Sequence, residues 1–226
     1  MERILKTMQN HIETLRENQK LVLVAIDGRC GSGKSTLAAA LAERMSVNIF
    51  HMDDFYLRPE QRTEERFREP GGNVDYERFE QEVMMPLQKG TAFSYRPFDC
   101  RTFTLAEPIE VVPSVINIIE GSYSCRPTLY SFYDLRIFLT VDQEEQLRRI
   151  RKRNGEEKAQ MFQKRWIPLE EQYFTPVSYT HLYLSWASNE DCYACLFRCS
   201  VGYGRRCIHG WSCRSSGSAD SECTGC

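Results

Sequence analysis

The stretch "LVLVAIDGRCGSGKSTLAAALAERM", residues 21–45, constrains this chain more than any other. The apolar run from Leu21 to Ile26 fits a strand buried on both faces of a parallel sheet. Gly28, Gly33, Lys34 and Ser35 then fill the spacing G-x-x-x-x-G-K-[ST], and an Ala/Leu-rich helix follows. Such a loop wraps phosphates with backbone N–H groups, here those of Gly28, Arg29, Cys30, Gly31, Ser32, Gly33, Lys34, Ser35 and Thr36. The dipole of the following helix adds to the attraction. Lys34 is placed to reach the β- and γ-phosphates, and the Ser35 hydroxyl to ligate Mg²⁺. Strand before and helix after are the context this motif requires, which argues against a chance glycine turn. A nucleoside triphosphate site for ATP and Mg²⁺ is expected.

A chain of 226 residues suffices for one α/β domain, or one domain plus a tail. The formal charge of −2 gives no reason to expect nucleic acid or an anionic membrane as partner. No apolar run approaches the roughly 20 residues that span a bilayer. Residues 1–20, "MERILKTMQNHIETLRENQK", are charged throughout, with apolar Ile4, Leu5, Met8, Ile12 and Leu15 at helical spacing. That is an amphipathic helix without the apolar centre of a signal peptide. A cytoplasmic protein is expected, and Cys30, Cys100 and Cys125, scattered through the first 176 residues, suit a reducing compartment.

The remaining seven cysteines crowd residues 177–226, where no helical or strand period is sustained. A zinc module is one reading, since Cys192/Cys195 and Cys223/Cys226 have C-x-x-C spacing. A disordered Ser/Gly/Cys-rich extension is another. The third, which we favour, is translated adapter DNA: "VSYTHL" is what CTGTCTCTTATACACATCT, a transposon end used in preparing sequencing libraries, encodes in one frame. On that reading the natural product diverges near Pro176, and the functional reading covers 21–176.

A phosphate loop serves small-molecule kinases as well as nucleotide-hydrolysing switches and motors. A GTPase switch would carry N-K-x-D, yet neither Asn48 nor Asn154 is followed by Lys. The chain is also short for a motor. In a parallel sheet, ligand-contacting residues gather at the carboxyl ends of strands. "NIFHMDDFYL" ends a strand in Asp53 and Asp54, and "VINIIEGSYS" ends one in Glu120, an acid suited to holding Mg²⁺. A solvated loop acid is the plainer reading of any one of these alone.

"GRCGSGKST", "HMDDFYL", "GGNVDYERF", "FSYRPFD", "IIEGSYS" and "RIFLTVDQEEQLRRIRKRNG" stand in the order found in uridine kinases and nicotinamide riboside kinases. Over about residues 20–175 the chain resembles that family, whose members are related to phosphoribulokinase and pantothenate kinase. The resemblance implies a kinase of nucleoside-like small molecules, with nicotinamide riboside or pantothenate as other acceptors. It implies Asp53 as general base and metal neighbour, with Ser35 and Glu120 completing the metal site. Asp54 is then secondary. Asp75 matches the acid that hydrogen-bonds ribose hydroxyls, although it also reads as the N-cap of the helix at "YERFEQEVMMPL". Tyr95 and Phe98 fall in the base-contacting segment, where they could stack a ring or serve as core aromatics. The uracil-reading histidine has no counterpart near Cys100, in "PFDCRTF". Arg149 and Arg153 lie in the lid, where arginines neutralise transferring phosphate; a solvated basic helix face is the alternative.

The expected architecture is α/β: a P-loop NTPase with a doubly wound parallel sheet and helices on both faces. Strands are expected near 21–26, 47–51, 115–119 and 135–140, with a hairpin near 93–112 over the acceptor. The helix "WIPLEEQYF" precedes a final strand that the suspect tail has replaced. A homo-oligomer and a nucleotide-binding regulatory module without an acceptor both stay open.

Overall fold

The computed structural model describes residues 2–177, 182–185 and 194–195. Its centre is a parallel sheet in which β1 (Val22–Gly28) lies between β7 (Ile116–Glu120) and β8 (Leu135–Thr140). The strand β2 (Val47–His51) pairs with the far side of β7. Every residue of β1 is buried, as its unbroken apolar run requires. Its side chains alternate between two cores. Val22, Val24 and Ile26 face α1 (Glu2–Arg16) and α2 (Lys34–Ala42), where Leu5, Met8, Ile12, Leu37 and Leu41 pack. Leu23 and Ala25 face the opposite layer, with Phe79, Val83, Leu87, Tyr173 and Phe174. Phe79 ends α4 (Tyr76–Phe79), a π-helical turn Glu80–Met84 carries the chain into α5 (Met85–Lys89), and Tyr173 and Phe174 lie on α8 (Ile167–Val177). Helices therefore cover both faces, and this is the α/β P-loop NTPase fold.

Short elements between β2 and β7 build the wall beside the sheet's carboxyl end. The helix α3 (Glu64–Arg68) begins at Thr63, whose side chain accepts from Arg66 N. Two antiparallel ribbons follow: β3 (Phe93–Tyr95) with β6 (Ile109–Val111), and β4 (Phe98–Asp99) with β5 (Thr104–Leu105). Cys100 sits in the turn of the inner ribbon. After β8, Asp142 caps α6 (Gln143–Asn154), and α7 (Glu156–Met161) continues through a π-helical turn, Phe162–Trp166, into α8.

One expectation is corrected. The final parallel strand is present: β9 (Leu182–Ser185) pairs with β8 from Ile137↔Leu182 to Thr140↔Ser185. The strand β10 (Ala194–Cys195) lies antiparallel outside it. Without β9 the outer edge of β8 would present unpaired N–H and C=O groups, and the sequence "LYLS" suits an extended segment that meets them. The other tail residues, including Cys192, Cys223 and Cys226 of the zinc reading, lie outside the described residues. Among the described residues no helix is long and apolar enough to cross a membrane.

Asp27, wholly buried, joins three parts of this fold. It accepts from Gly28 N at 2.6 Å, Tyr123 N at 3.0 Å, Cys125 N at 3.0 Å and the Tyr173 hydroxyl at 2.7 Å. Burial raises its pKa, and the donors and nearby Lys34 oppose the rise. Asp27→Ala, which strands these donors in dry surroundings, should cost about 3 kcal/mol or more. Tyr173→Phe, which removes one donor, should cost about 1 kcal/mol. Equilibrium urea unfolding checks the ranking, and equal losses would mean Asp27 is no tie.

Candidate functional site

The loop from Gly28 to Gly33 turns where the chain can approach β8 closely. Gly28 has φ +136°, and a Cβ there would stand 1.9 Å from the Leu139 carbonyl oxygen. Gly33, at φ +98°, takes a left-handed conformation just before α2. The N-terminus of α2 thereby faces the carboxyl end of the sheet, with its first N–H groups available to an anion.

Lys34 is folded back over the loop, its ammonium donating to Gly28 O at 2.9 Å, Arg29 O at 3.0 Å and Ser122 Oγ at 3.2 Å. Ser35 Oγ donates to Glu120 Oε1 at 3.0 Å. Parallel pairing puts Glu120 level with Ile26 on β1 and His51 on β2. His51 Nδ1 lies 2.5 Å from the same Glu120 oxygen, and that hydrogen bond raises the His51 pKa. His51 was missed in the sequence; its place as the last residue of a strand beside an acidic strand end was the available signal.

Asp53 and Asp54 do not alternate along a strand, because the chain leaves β2 through a 3₁₀ turn, Met52–Asp54. They still diverge. Asp53 lines the cavity and accepts from the Tyr56 hydroxyl at 3.0 Å. Asp54 is half-buried and accepts from the Tyr95 hydroxyl at 3.2 Å. Burial raises the Asp54 pKa, with His51 opposing.

The remaining candidates separate clearly. Arg149 and Arg153 both line the cavity from α6, Arg149 donating to Gly31 O at 3.1 Å and Glu145 at 2.7 Å. Tyr95 does not reach the cavity; it packs in the core beside Phe55 and Phe50, with ring centroids 5.3 and 6.0 Å apart. Phe98 is buried beneath Arg62, also off the cavity wall. Of the two readings of these aromatics, ring stacking or core, their burial fits the core. Asp75, 1% exposed, caps α4 by accepting from Arg78 N at 3.2 Å. Its other oxygen lies 3.7 Å from Arg78 and 3.8 Å from Arg58, behind the wall formed by Asn73 and Val74.

Helix α8 fixes the outer half of the loop, which the sequence did not reveal. Glu170, 3% exposed, accepts from Cys30 N and, at 2.9 Å, from the Ser122 hydroxyl. Burial raises its pKa, with Lys34 opposing. Glu171 takes two 2.7 Å bonds from the Arg29 guanidinium. Arg29 therefore offers the loop its backbone alone. The shared cavity has a volume of about 940 Å³. Its far side is roofed by Lys158, Met161, Phe162, Arg165 and Trp166, none of which the sequence singled out.

Oxygen donors Ser35 and Glu120, with Asp53 on the same cavity, fit a hard divalent cation such as Mg²⁺. Glu120→Gln should raise the Mg²⁺ concentration needed for nucleotide binding by about tenfold or more. Titrating Mg²⁺ at fixed nucleotide measures this, and an unmoved midpoint would remove Glu120 from the metal site.

No curated protein matches this sequence. Among solved structures, the chain is similar to a candidate uridine kinase from Bacillus stearothermophilus, at 22% identity and TM-score 0.50, covering 75% of this chain and 96% of that one. It is also similar to a candidate fructose transport system kinase from Silicibacter sp. TM1040, at 26% identity and TM-score 0.58, covering 74% and 93%. The family model of an AAA domain, AAA_18, matches residues 24–166, more than half of the chain. With its phosphate loop, Ser35–Glu120 pair and the arginines of α6 on one cavity, the chain is a P-loop kinase-like domain and belongs to the AAA_18 family.

Proposed function

We propose that this protein transfers the γ-phosphoryl group of ATP to a hydroxyl of a nucleoside-like small molecule. One observation carries the reading: Asp53, an acid suited to receive a hydroxyl proton, shares a single cavity with the phosphate loop and with Arg149 and Arg153. The acceptor oxygen forms a bond to the γ-phosphorus as the bond to the β,γ-bridging oxygen breaks. The electron pair leaves with ADP, and the hydroxyl proton passes to Asp53. Bound Mg²⁺ would neutralise phosphate charge, and Ser35, Glu120 and Asp53 are the residues that would hold it. Lys34 exchanges its loop carbonyl contacts for the β- and γ-phosphates, and the arginines of α6 close the charge from above. Positioning and charge neutralisation account for most of the catalysis, since little covalent work falls to the protein.

The acceptor itself is less constrained than the reaction. With Tyr95 and Phe98 off the cavity, a stacked ring would have to meet another of its aromatics, Tyr56, Phe67, Tyr123, Phe162 or Trp166. That placement favours keeping acceptors beyond uridine, such as nicotinamide riboside and pantothenate, beside it.

The decisive comparison is between the two neighbouring acids. Asp53→Asn should lower acceptor-dependent ADP release by about a hundredfold or more while ATP still binds. Asp54→Asn should cost much less, because Asp54 meets Tyr95 rather than the cavity. Lys34→Ala should abolish turnover. Steady-state kinetics of the full chain with a panel of alcohols checks all three, and the reverse ranking of the acids would overturn the assignment of the base.

A further inference from the structure

Six basic side chains line the cavity, namely Lys34, Arg62, Arg149, Arg153, Lys158 and Arg165, against the acids Asp53, Glu120 and Glu170. Lys34 on the loop, and Arg149 and Arg153 on α6, are accounted for by a triphosphate. Arg62 and Arg165 belong to the other end. Arg62 lies in the segment between β2 and α3, and Cys100 is within electrostatic reach of both it and Asp53. Arg165, from the π-helical turn before α8, lies over the Phe67 ring of α3 at 5.1 Å. Both line the same cavity as the proposed base.

Their contacts set these two arginines apart. Arg29, Arg66 and Arg149 each pair with a glutamate at 2.7–2.8 Å. Among the described residues, neither Arg62 nor Arg165 has a carboxylate partner. Each is held instead on aromatic rings. Arg62 stands 4.7 Å from the Phe103 centroid and 5.3 Å from that of Phe98, and Arg165 4.9 Å from Trp166. The Arg62 Nε is spent on Leu57 O at 2.9 Å, which fixes the plane and leaves the two terminal amino groups for a ligand. A guanidinium stacked on a ring and lacking a counter-ion is preorganised for a planar or tetrahedral anion. Arg62 is half-buried and Arg165 exposed, and a neutral acceptor would leave both guanidiniums without a counter-ion on the cavity wall.

Resting on the kinase reading above, we infer that the acceptor is an anionic alcohol: a molecule that offers one hydroxyl to Asp53 and a carboxylate or phosphate group to Arg62 and Arg165. The two ends of the acceptor are then read separately, the hydroxyl by an acid and the anion by two arginines from different elements. This deepens the proposed reaction by naming a charge that the acceptor must carry.

Matched pairs test it: ribose against ribose 5-phosphate, uridine against uridine 5′-monophosphate, and glycerol against glycerate. Each is titrated calorimetrically into the full chain with the nucleotide site filled by a non-hydrolysable ATP analogue and Mg²⁺. The anionic member of at least one pair should bind about tenfold tighter or more, the loss typical of one charge-assisted hydrogen bond. Arg62→Gln and Arg165→Gln should each erase that preference, leaving the neutral members and the ATP analogue within about twofold of their original affinity. Equal or weaker binding of the anionic member in every pair, or a preference that survives both substitutions, overturns the inference. The phosphate-bearing and carboxylate-bearing pairs separate the two anion types. Acceptor-dependent ADP release is scored independently. A kinase that turns over the neutral members best would refute the anionic acceptor and leave the transfer reaction standing, whereas anion-selective binding without ADP release would do the opposite.

Discussion

A single buried carboxylate organises the site without entering it. Asp27 lies one residue before the phosphate loop and receives donors from Gly28, Tyr123, Cys125 and Tyr173. Three segments far apart in sequence therefore meet at one side chain: the end of β1, the turn after β7 and the helix α8. The turn pays for this with a left-handed Tyr123, at φ +71°. Its ring is held edge-on against Tyr173, with centroids 4.9 Å apart. Where Asp27 fixes the turn, Glu120 and Ser122 follow it to Ser35 and Lys34. Where it fixes α8, Glu170 and Glu171 reach Cys30 and Arg29. The loop is thus gripped on both flanks before any phosphate arrives, so that less order is lost on binding.

The parts of this design that were legible in the sequence are those specified by neighbours along the chain. Gly28 to Ser35 can be recognised because strand, turn and helix must follow one another at fixed spacing. Glu120 could be assigned because a strand's apolar run stops at it. The two acids show the limit of such reasoning: a 3₁₀ turn, not strand alternation, sends Asp53 to the cavity and Asp54 to Tyr95. Arg62, Arg165 and Glu170 were illegible for a different reason. Their roles arise from contacts with Phe103, Phe67 and Cys30, and nothing in local spacing links those positions. Tyr95 and Phe98 carry the complementary lesson. A segment can occupy the acceptor side while its aromatic side chains turn into the core.

Helix α6 and the segment after it carry more than a basic face. Arg149 is tethered to Glu145 and to the Gly31 carbonyl, which ties α6 to the loop it covers. Beyond Gly155 the chain passes through α7 and a π-helical turn, and places Met161, Phe162 and Trp166 among the cations. Apolar surface is thereby set beside the charges of the cavity.

The strand β8 separates two opposite demands on sequence. On one side, the Leu139 carbonyl presses so closely on residue 28 that no side chain can stand there. On the other, β8 pairs with β9 through main-chain groups that every residue except proline can supply. An outer slot of this kind specifies length and extension and little else. The sheet can consequently be completed by segments of unrelated composition, while the inner edge of the same strand tolerates no drift at all. Chemistry and plasticity are kept apart by the width of one strand.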